Sequence, residues 1–349
     1  MLRIENLNYK SGKFSLDKIN LTINEGECHI LMGSSGSGKT TLLETILGLK
    51  RITSGRIFLN EKEITNLPVH KRQIAYVPQD LALFPHISVY DNICYGAKLS
   101  KSYDKNFIDH IVKTMALEEI LTNNIENTSG GEKRRIALAR ALSIKPKLIL
   151  LDEPLANLDD AIAKELQFFI KKVQKEFNLT LLYVTHDFDE AFFMGDIISV
   201  LLNGKLIQTS KKYELYFYPK TISLVNFLGI KNIFKAFFKG ELDEEYLVEV
   251  PQLKTILIVK KRPKFPEFRM NRPIYLGIRS DEVMYIRKER KRGFNDNILK
   301  GVITEIHRLE TMSKILFKVH DRIIEIDMPY GVLRKLGLTV GMDGEVMLK

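Results

Sequence analysis

Residues 27–41 read Glu-Cys-His-Ile-Leu-Met-Gly-Ser-Ser-Gly-Ser-Gly-Lys-Thr-Thr, an apolar run followed by a glycine and serine loop and then a helical pattern. Because glycine has no Cβ, Gly33, Gly36 and Gly38 let the backbone turn sharply and point successive N–H groups at one anion. The helix that starts at Lys39 directs its positive dipole end to the same place. A flexible linker would explain the glycines but not the strand and the basic residue beside them. The stretch predicts a loop that binds the phosphates of a nucleoside triphosphate.

The residues that end this loop predict a magnesium site as well. The Lys39 ammonium can lie between the β- and γ-phosphates, and the Thr40 hydroxyl can be a ligand of Mg²⁺. We predict that the nucleotide contacts the whole loop, which consists of Gly33, Ser34, Ser35, Gly36, Ser37, Gly38, Lys39, Thr40 and Thr41.

Length and composition indicate a soluble protein of two domains. The chain has 349 residues, more than one hydrophobic core usually supports, with 45% hydrophobic and 28% charged residues. No apolar run approaches the roughly 18 residues of a membrane span, and the N-terminus does not read as a signal peptide. We therefore expect the chain on the cytoplasmic side. Cys28 and Cys94 lie in apolar contexts without metal-ligand spacing, so we expect buried thiols.

The formal net charge of +10 raises the possibility of a nucleic-acid partner or an anionic membrane surface. Acidic residues are interspersed with the basic ones, however, and only residues 287–292 form a local basic run. We interpret the charge as a solvated surface and predict no nucleic-acid partner.

Polar residues follow the predicted buried strands, where the carboxyl ends of a parallel sheet face the ligand crevice. Gln79 is placed to contact Mg²⁺ or the attacking water, and Asp152 can hold Mg²⁺ through water. Glu153, one residue further, can orient or deprotonate that water. His186 ends a further strand at the same edge. Taken alone, a glutamine or a histidine in such a position is more often structural, and the acids could merely turn the chain.

A second anion site is predicted at the end of a mostly helical insertion, residues 88–142. Ser129 and Glu132 have the spacing of a capping box, and Gly130 and Gly131 leave the helix N-terminus sterically open.

The strand and helix patterns together predict an α/β fold, with a parallel sheet and an antiparallel portion at its start.

Beyond Ile230 the pattern changes to short β-like runs separated by proline, glycine and charge clusters. We predict a small all-β barrel over residues 231–349, after an α/β domain over residues 1–230. The clearest runs are Thr255 to Val259, Ile274 to Ile278, Gly301 to Ile306, Ile315 to Val319 and Ile323 to Ile326.

In this order the motifs resemble those of the nucleotide-binding subunit of an ABC transporter of the importer type, a P-loop NTPase. The likeness is strong over about residues 1–230 and weak over the tail. The matching motifs are Ser129-Gly130-Gly131-Glu132 with Arg140-Ala141-Leu142 (signature), Gln79 (Q-loop), Asp152-Glu153 (Walker B and catalytic glutamate), Leu158-Asp159 (D-loop) and His186 (switch histidine).

The resemblance implies ATP hydrolysis with Mg²⁺, held by Thr40, Gln79 and Asp152. It also implies a head-to-tail homodimer in which Lys39 of one copy and Ser129 of the other enclose each ATP, with Asp159 nearby. Such a dimer would drive integral-membrane permease subunits from the cytoplasmic face of the cell membrane, and an external solute-binding protein would deliver the solute. The segment 79–86 would form the cleft that receives the permease.

Two positions depart from the family pattern, since Thr128 replaces the usual leucine before the signature and Ala156 replaces a serine of the D-loop. For the aromatic residue that stacks on adenine, Tyr9 has the better distance from Gly33, and Phe14 is the alternative.

For the solute, the segments 227–233 and 278–283 are similar to those of molybdate/tungstate importers, and the tail is similar to TOBE (OB-like) domains. Asn295-Asp296 departs from that pattern. Importers of sulfate, iron(III), polyamine or sugar are alternatives. A soluble ABC ATPase acting on DNA or ribosomes would typically carry two nucleotide domains or a long coiled coil. A third hypothesis makes the tail a regulatory binding module.

Overall fold

The computed structural model describes residues 1–261, 268–286 and 296–348. The chain forms two compact units, Met1–Lys220 and Thr221–Lys349. The boundary near residue 230 stays a prediction about the nucleotide-binding domain. The basic run 287–292 and Asn295 lie outside the described residues.

The first unit is an α/β unit. Its 3-10 turns lie at Val69–Lys71, Glu118–Ile120 and Ile125–Asn127. In chain order its strands and helices are β1 (Leu2–Ser11), β2 (Phe14–Ile23), β3 (Cys28–Met32), α1 (Lys39–Leu47), β4 (Ser54–Leu59), β5 (Lys62–Glu63), β6 (Ile74–Val77), α2 (Val89–Leu99), α3 (Lys105–Thr114), α4 (Gly130–Ser143), β7 (Leu148–Asp152), α5 (Asp160–Glu176), β8 (Leu181–Thr185), α6 (Phe188–Met194), β9 (Ile197–Leu202), β10 (Lys205–Lys211) and α7 (Lys212–Phe217).

Two sheets build this unit. The first is antiparallel, in the order β2-β1-β4-β5, and the second has the order β10-β9-β3-β8-β7-β6. In the second sheet the neighbours from β9 to β6 run parallel, and β10 is antiparallel to β9. Every residue of β3, β7 and β8 is buried, as expected for strands covered on both faces. The predicted α/β class with an antiparallel start is confirmed.

The helical insertion between β6 and β7 consists of α2, α3 and α4. Each helix starts at a residue whose side chain accepts a hydrogen bond from the backbone of its first turn, because Ser88, Asp104 and Ser129 are good N-caps. These helices run from the N-cap Ser88 to Ser143 at the end of α4.

The second unit contains two antiparallel sheets, β13-β12-β11-β14 and β15-β19-β16-β17-β18. This arrangement fits the predicted TOBE-like class. Its 3-10 turns lie at Pro251–Leu253 and Ser280–Glu282. Its strands and helices are α8 (Ile222–Phe227), β11 (Asn232–Leu242), β12 (Glu245–Val250), β13 (Thr255–Lys260), β14 (Pro273–Ile278), β15 (Val283–Ile286), β16 (Ile298–Arg308), β17 (Met312–Val319), β18 (Arg322–Pro329), α9 (Tyr330–Leu336) and β19 (Asp343–Leu348).

Two asparagines join the sheets of this second unit. The Asn232 amide donates to the carbonyl of Glu325 at 2.9 Å, and its oxygen accepts from the Glu325 N–H at 2.8 Å. Asn297 makes the same pair of bonds to Ile258, at 2.8 and 2.7 Å. Each side chain thus satisfies both backbone groups of one residue in the other sheet.

Cys28 and Cys94 are free and buried, as predicted. Among the described residues, no helix is both long enough and apolar enough to cross a membrane.

Candidate active site

The phosphate loop joins β3 to α1. Gly36 and Gly38 have φ values of 74° and 105°, the left-handed region that favours glycine. The Lys39 ammonium is buried and donates to the carbonyls of Gly33 at 2.9 Å and Ser34 at 3.3 Å. The backbone of the loop therefore binds the ammonium group of Lys39.

The loop is packed closely against the β9–β10 hairpin. A Cβ at Gly33 would overlap the carbonyl oxygen of Leu201 and the hydroxyl of Ser37, so only glycine fits there. Gly204 in the hairpin turn donates to the Ser37 carbonyl at 3.1 Å. The buried Ser37 Oγ has no hydrogen-bond partner among the described residues. An unpaired buried hydroxyl inside a glycine-rich loop fits a ligand with phosphate oxygens.

Asp152 ends β7 beside the loop and is 4% exposed. Burial raises the pKa of its carboxyl, and hydrogen bonds to Thr40 and Tyr76 lower this pKa without cancelling the effect. The Tyr76 hydroxyl donates to Oδ2 at 3.3 Å. In the described ranges, no group of three or more His, Cys, Asp or Glu could hold a metal ion by itself. A hydroxyl and one carboxylate instead fit Mg²⁺ that is shared with nucleotide phosphates.

Glu153 follows with a φ of 46°, which is unusual for a residue with a Cβ. Its N–H donates to the carbonyl of Val184 in β8 at 3.0 Å. Its Oε1 lies 3.7 Å from Nζ of Lys39, and its Oε2 lies 3.2 Å from Nδ1 of His186. The ends of β7 and β8 and the phosphate loop thus meet at one edge of the sheet.

The signature residues form the start of α4. The Ser129 N–H donates to the Glu132 carboxylate at 2.7 Å, and the Glu132 N–H donates to Ser129 Oγ at 3.2 Å, which completes the capping box. A Cβ at Gly130 would come no closer than 3.6 Å to Leu158, so the helix end is open. Over the described residues, no hydrogen bond or ion pair joins Ser129 to Lys39.

Known proteins give the same picture. A family model described as ABC transporter matches residues 16–156. The molybdate/tungstate import ATP-binding protein WtpC of Pyrococcus abyssi is 34% identical over 100% of this chain and 98% of its own. This chain belongs to the ABC transporter ATP-binding proteins. It is an ATPase of the importer type, and the predicted family is confirmed.

Other relatives and solved structures agree on the family. The spermidine/putrescine import ATP-binding protein PotA of Clostridioides difficile is 37% identical over 83% of this chain and 80% of its own. The iron(III) import protein FbpC of Vibrio cholerae is 39% identical over 65% of each chain. An ATP-binding cassette solved as a dimer after hydrolysis, with ADP and phosphate, has a TM-score of 0.53 and 30% identity over 60% of this chain and 98% of its own.

The Q-loop residue Gln79 lies at the end of the strand edge that carries Asp152 and Glu153. Gln79 is exposed after β6, and within the described part of the chain its side chain makes no hydrogen bond to Thr40 or Asp152. Its contact with Mg²⁺ or water stays a prediction. The turn that follows is fixed by Arg140 of α4, which donates to the carbonyls of Leu81 and Ala82, both at 2.7 Å.

The two candidates for adenine stacking differ in their surroundings. Phe14 lies against the phosphate loop, because a Cβ at Gly38 would overlap its ring. Tyr9 packs at the edge of the core, with Nζ of Lys50 5.9 Å from its ring centroid. Both stay candidates, and Phe14 is the one in contact with the loop.

Asp159 of the D-loop is exposed and precedes α5, and its side chain makes no capping bond there. Its contact with nucleotide stays a prediction. Thr128, in place of the usual leucine, is buried, and its hydroxyl donates to the carbonyl of Ile125 at 2.6 Å. The buried hydroxyl that threonine introduces at this position therefore has a hydrogen-bond partner nearby.

The sequence patterns did not indicate three residues that shape this region, namely Tyr76, Asn92 and Arg134. Arg140 was quoted with the signature, but its bonds to the turn after Gln79 were not predicted. Asn92 is fully buried and binds the segment 84–88 through four hydrogen bonds. A polar residue on the buried face of a helix was the available signal for Asn92. The partners of Arg134 and Tyr76 lie 20 and 76 residues away, and no local pattern indicates them.

Proposed function

We propose that this chain powers the uptake of molybdate or tungstate as the ATPase subunit of an importer. The proposal for the solute rests on how much of the chain is similar to its relatives. The similarity to WtpC of Pyrococcus abyssi includes the tail and covers 100% of this chain. The similarities to PotA and FbpC have higher identity but cover 83% and 65% of the chain. Import of iron(III) or polyamine is therefore the alternative.

Hydrolysis follows from the geometry around Glu153. Lys39 and the loop N–H groups bind the β- and γ-phosphates, and Thr40 and Asp152 would hold Mg²⁺. Bound Mg²⁺ neutralises the charge of these phosphates and orients them. Glu153 accepts a hydrogen bond from the attacking water, and His186 restrains the other side of the carboxylate. The left-handed backbone at Glu153 aims the side chain back toward Lys39.

A homodimer would complete each site. The open start of α4 has two glycines and a capped first turn, which suits the phosphate of a nucleotide held by a second copy. In a head-to-tail pair with two-fold symmetry, both copies would contribute the same surface to the interface, and two equivalent nucleotide sites would form. The dimer of the solved cassette that is 30% identical supports this arrangement.

Coupling would take place at the cytoplasmic face of the cell membrane. The buried Asn92 holds the segment 84–88 in shape. Tyr95 is 44% exposed and packs on Phe84 in a tilted arrangement, with 4.6 Å between ring centroids. We propose that permease subunits bind this surface and that an external binding protein supplies them with solute.

The test is uptake by the complex that co-purifies with the tagged chain. The complex is reconstituted in vesicles with ATP, and molybdate, tungstate, sulfate, iron(III) and spermidine are compared. We expect uptake of molybdate or tungstate at least about tenfold above the other solutes, a difference of about 1.4 kcal/mol in transition-state binding. Preferred uptake of iron(III) or spermidine would establish the alternative. A complex carrying Glu153→Gln is the matched control, and it should transport none of them.

A further inference from the structure

Arg134 joins two segments of the active site through backbone carbonyls. Its Nε donates to the carbonyl of Pro154 at 2.5 Å, and its Nη2 donates to the carbonyl of Ala156. Its Nη1 donates to the carbonyl of Gly130 at 3.3 Å, in the first turn of its own helix. One guanidinium therefore connects the start of α4 with the turn that follows β7.

The bound turn is the one that sets the direction of the Glu153 side chain. Glu153 has a φ of 46°, and its carbonyl accepts from the N–H of Ala156 at 3.1 Å. A left-handed glutamate costs conformational energy and persists only where surrounding bonds hold it. One of these bonds runs from the Glu153 N–H to the carbonyl of Val184 in β8. The others run from Arg134 to the carbonyls within the turn.

The environment of Arg134 suits this role. Across the described residues, no carboxylate lies within ion-pair distance of Arg134, so the charge is balanced by carbonyl dipoles. A partly buried arginine that binds only backbone oxygens specifies the position of a chain segment. Its planar fork supplies several donors in fixed directions, which lysine lacks.

We propose that Arg134 is a positioning residue for hydrolysis, which holds the Glu153 turn against the signature end of α4 so that the two move as one body. Water activation in one site would then be tied to occupation of the helix end by the partner's nucleotide. The second statement rests on the proposed dimer, whereas the first requires only the ATPase.

A merely structural role predicts different kinetics. Loss of folded protein lowers the measured rate of Arg134→Gln and Arg134→Lys in proportion to the inactive fraction, with the rate per folded molecule unchanged. Loss of positioning lowers kcat in molecules that are folded and bind ATP normally. We therefore normalise rates to the fraction of protein that binds ATP.

The experiment compares Arg134→Gln, Arg134→Lys and the neighbouring Lys133→Gln, which removes the same charge. Lys133 makes no side-chain hydrogen bond or ion pair with any residue that the structure describes. We expect kcat to fall about 10- to 50-fold for Arg134→Gln, with KM for ATP within about threefold, and to recover partly in Arg134→Lys. Lys133→Gln should stay within about twofold. A normalised kcat for Arg134→Gln equal to that of the parent overturns the proposal. If Arg134→Gln does not fold, Arg134→Lys decides by the same criterion.

The dimer arm uses Glu153→Gln and the double variant Glu153→Gln/Arg134→Gln, with molecular mass measured at increasing ATP. We expect the double variant to need about three- to tenfold more ATP to dimerise. An equal ATP requirement rejects the link between the two sites. If Glu153→Gln itself stays monomeric, the proposed dimer fails, and the kinetic result for Arg134 still stands.

Discussion

Nδ1 of His186 lies 3.2 Å from Oε2 of Glu153, so the residue that follows β8 contacts the residue that follows β7. The other carboxylate oxygen of Glu153 faces Lys39 at 3.7 Å. Glu153 thus lies between the buried Lys39 ammonium and a histidine whose side chain is 65% exposed. This position suits a base that acts on water next to the terminal phosphate.

The first prediction concerns Glu153→Gln. The amide keeps the shape of the side chain but is not a base, so we expect ATP hydrolysis to fall by about 10²-fold or more. ATP affinity should remain, because Lys39 and the loop are unchanged. Phosphate release and binding of a fluorescent ATP analogue measure the two effects. Near-normal turnover would exclude Glu153 as the base.

The second prediction concerns Tyr76→Phe. Because burial raises the pKa of Asp152 and the Tyr76 hydroxyl lowers it, removal of the hydroxyl should raise this pKa further. The ionised carboxylate, present above the pKa, is the form that would hold Mg²⁺ in the proposed site. The acidic limb of the ATPase pH profile should therefore move to higher pH. The Mg²⁺ concentration for half-maximal activity should rise about two- to tenfold, the equivalent of one hydrogen bond.

Tyr95→Phe is the matched control for Tyr76→Phe, since Tyr95 is exposed and packs on Phe84 away from Asp152. An unchanged pH profile and Mg²⁺ requirement in Tyr76→Phe would remove the hydroxyl from the metal site.

The third prediction separates Tyr9 from Phe14. Phe14 touches the phosphate loop at Gly38, so we expect Phe14→Ala to raise KM for ATP about fivefold or more, as loss of an aromatic stacking partner would. Tyr9→Ala should have the smaller effect. Competition by GTP against ATP reports on the base itself. A larger effect of Tyr9→Ala on both measurements would restore Tyr9 as the stacking residue.

The fourth prediction concerns the tail. A chain of residues 1–230 should keep ATPase activity within about threefold, because a compact unit can fold by itself. A chain of residues 1–220 is the comparison, since α8 belongs to the second unit. Calorimetry measures whether each chain unfolds cooperatively, and an ATPase assay measures its activity. We expect both chains to be folded and active. An insoluble 1–220 beside a folded 1–230 would place α8 with the nucleotide-binding domain.

The sequence predicted the parts of the site that depend on local geometry. The phosphate loop needs glycines next to Lys39, and Asp152 and Glu153 follow an apolar run. Each feature can therefore be recognised from about ten consecutive residues. Tyr76 and Arg134 act on distant partners, and only the packed chain brings those partners close. Gln79 follows β6 as the strand pattern predicted, and its contact with Mg²⁺ or water stays a prediction.

The tail was predicted less completely for a related reason. β11 alternates buried residues with half-exposed or exposed ones, but two phenylalanines lie next to each other within it and interrupt a simple apolar and polar alternation. The joining role of Asn232 depends on Glu325, which is 93 residues away. Composition alone does not distinguish such an asparagine from one in a surface turn.

Asn92 is placed inside the molecule and bonds the backbone of Phe84, Ile87 and Ser88, while Pro85 and His86 remain exposed. The backbone of the segment 84–88 is therefore fixed from its buried side by Asn92, and not by the exposed side chains of Pro85 and His86. Those side chains can be exchanged for a relative's without disturbing the scaffold beneath them. If permease subunits bind this surface as proposed, a graft of two or three residues in this segment should redirect the ATPase to a foreign permease while its catalytic rate stays the same.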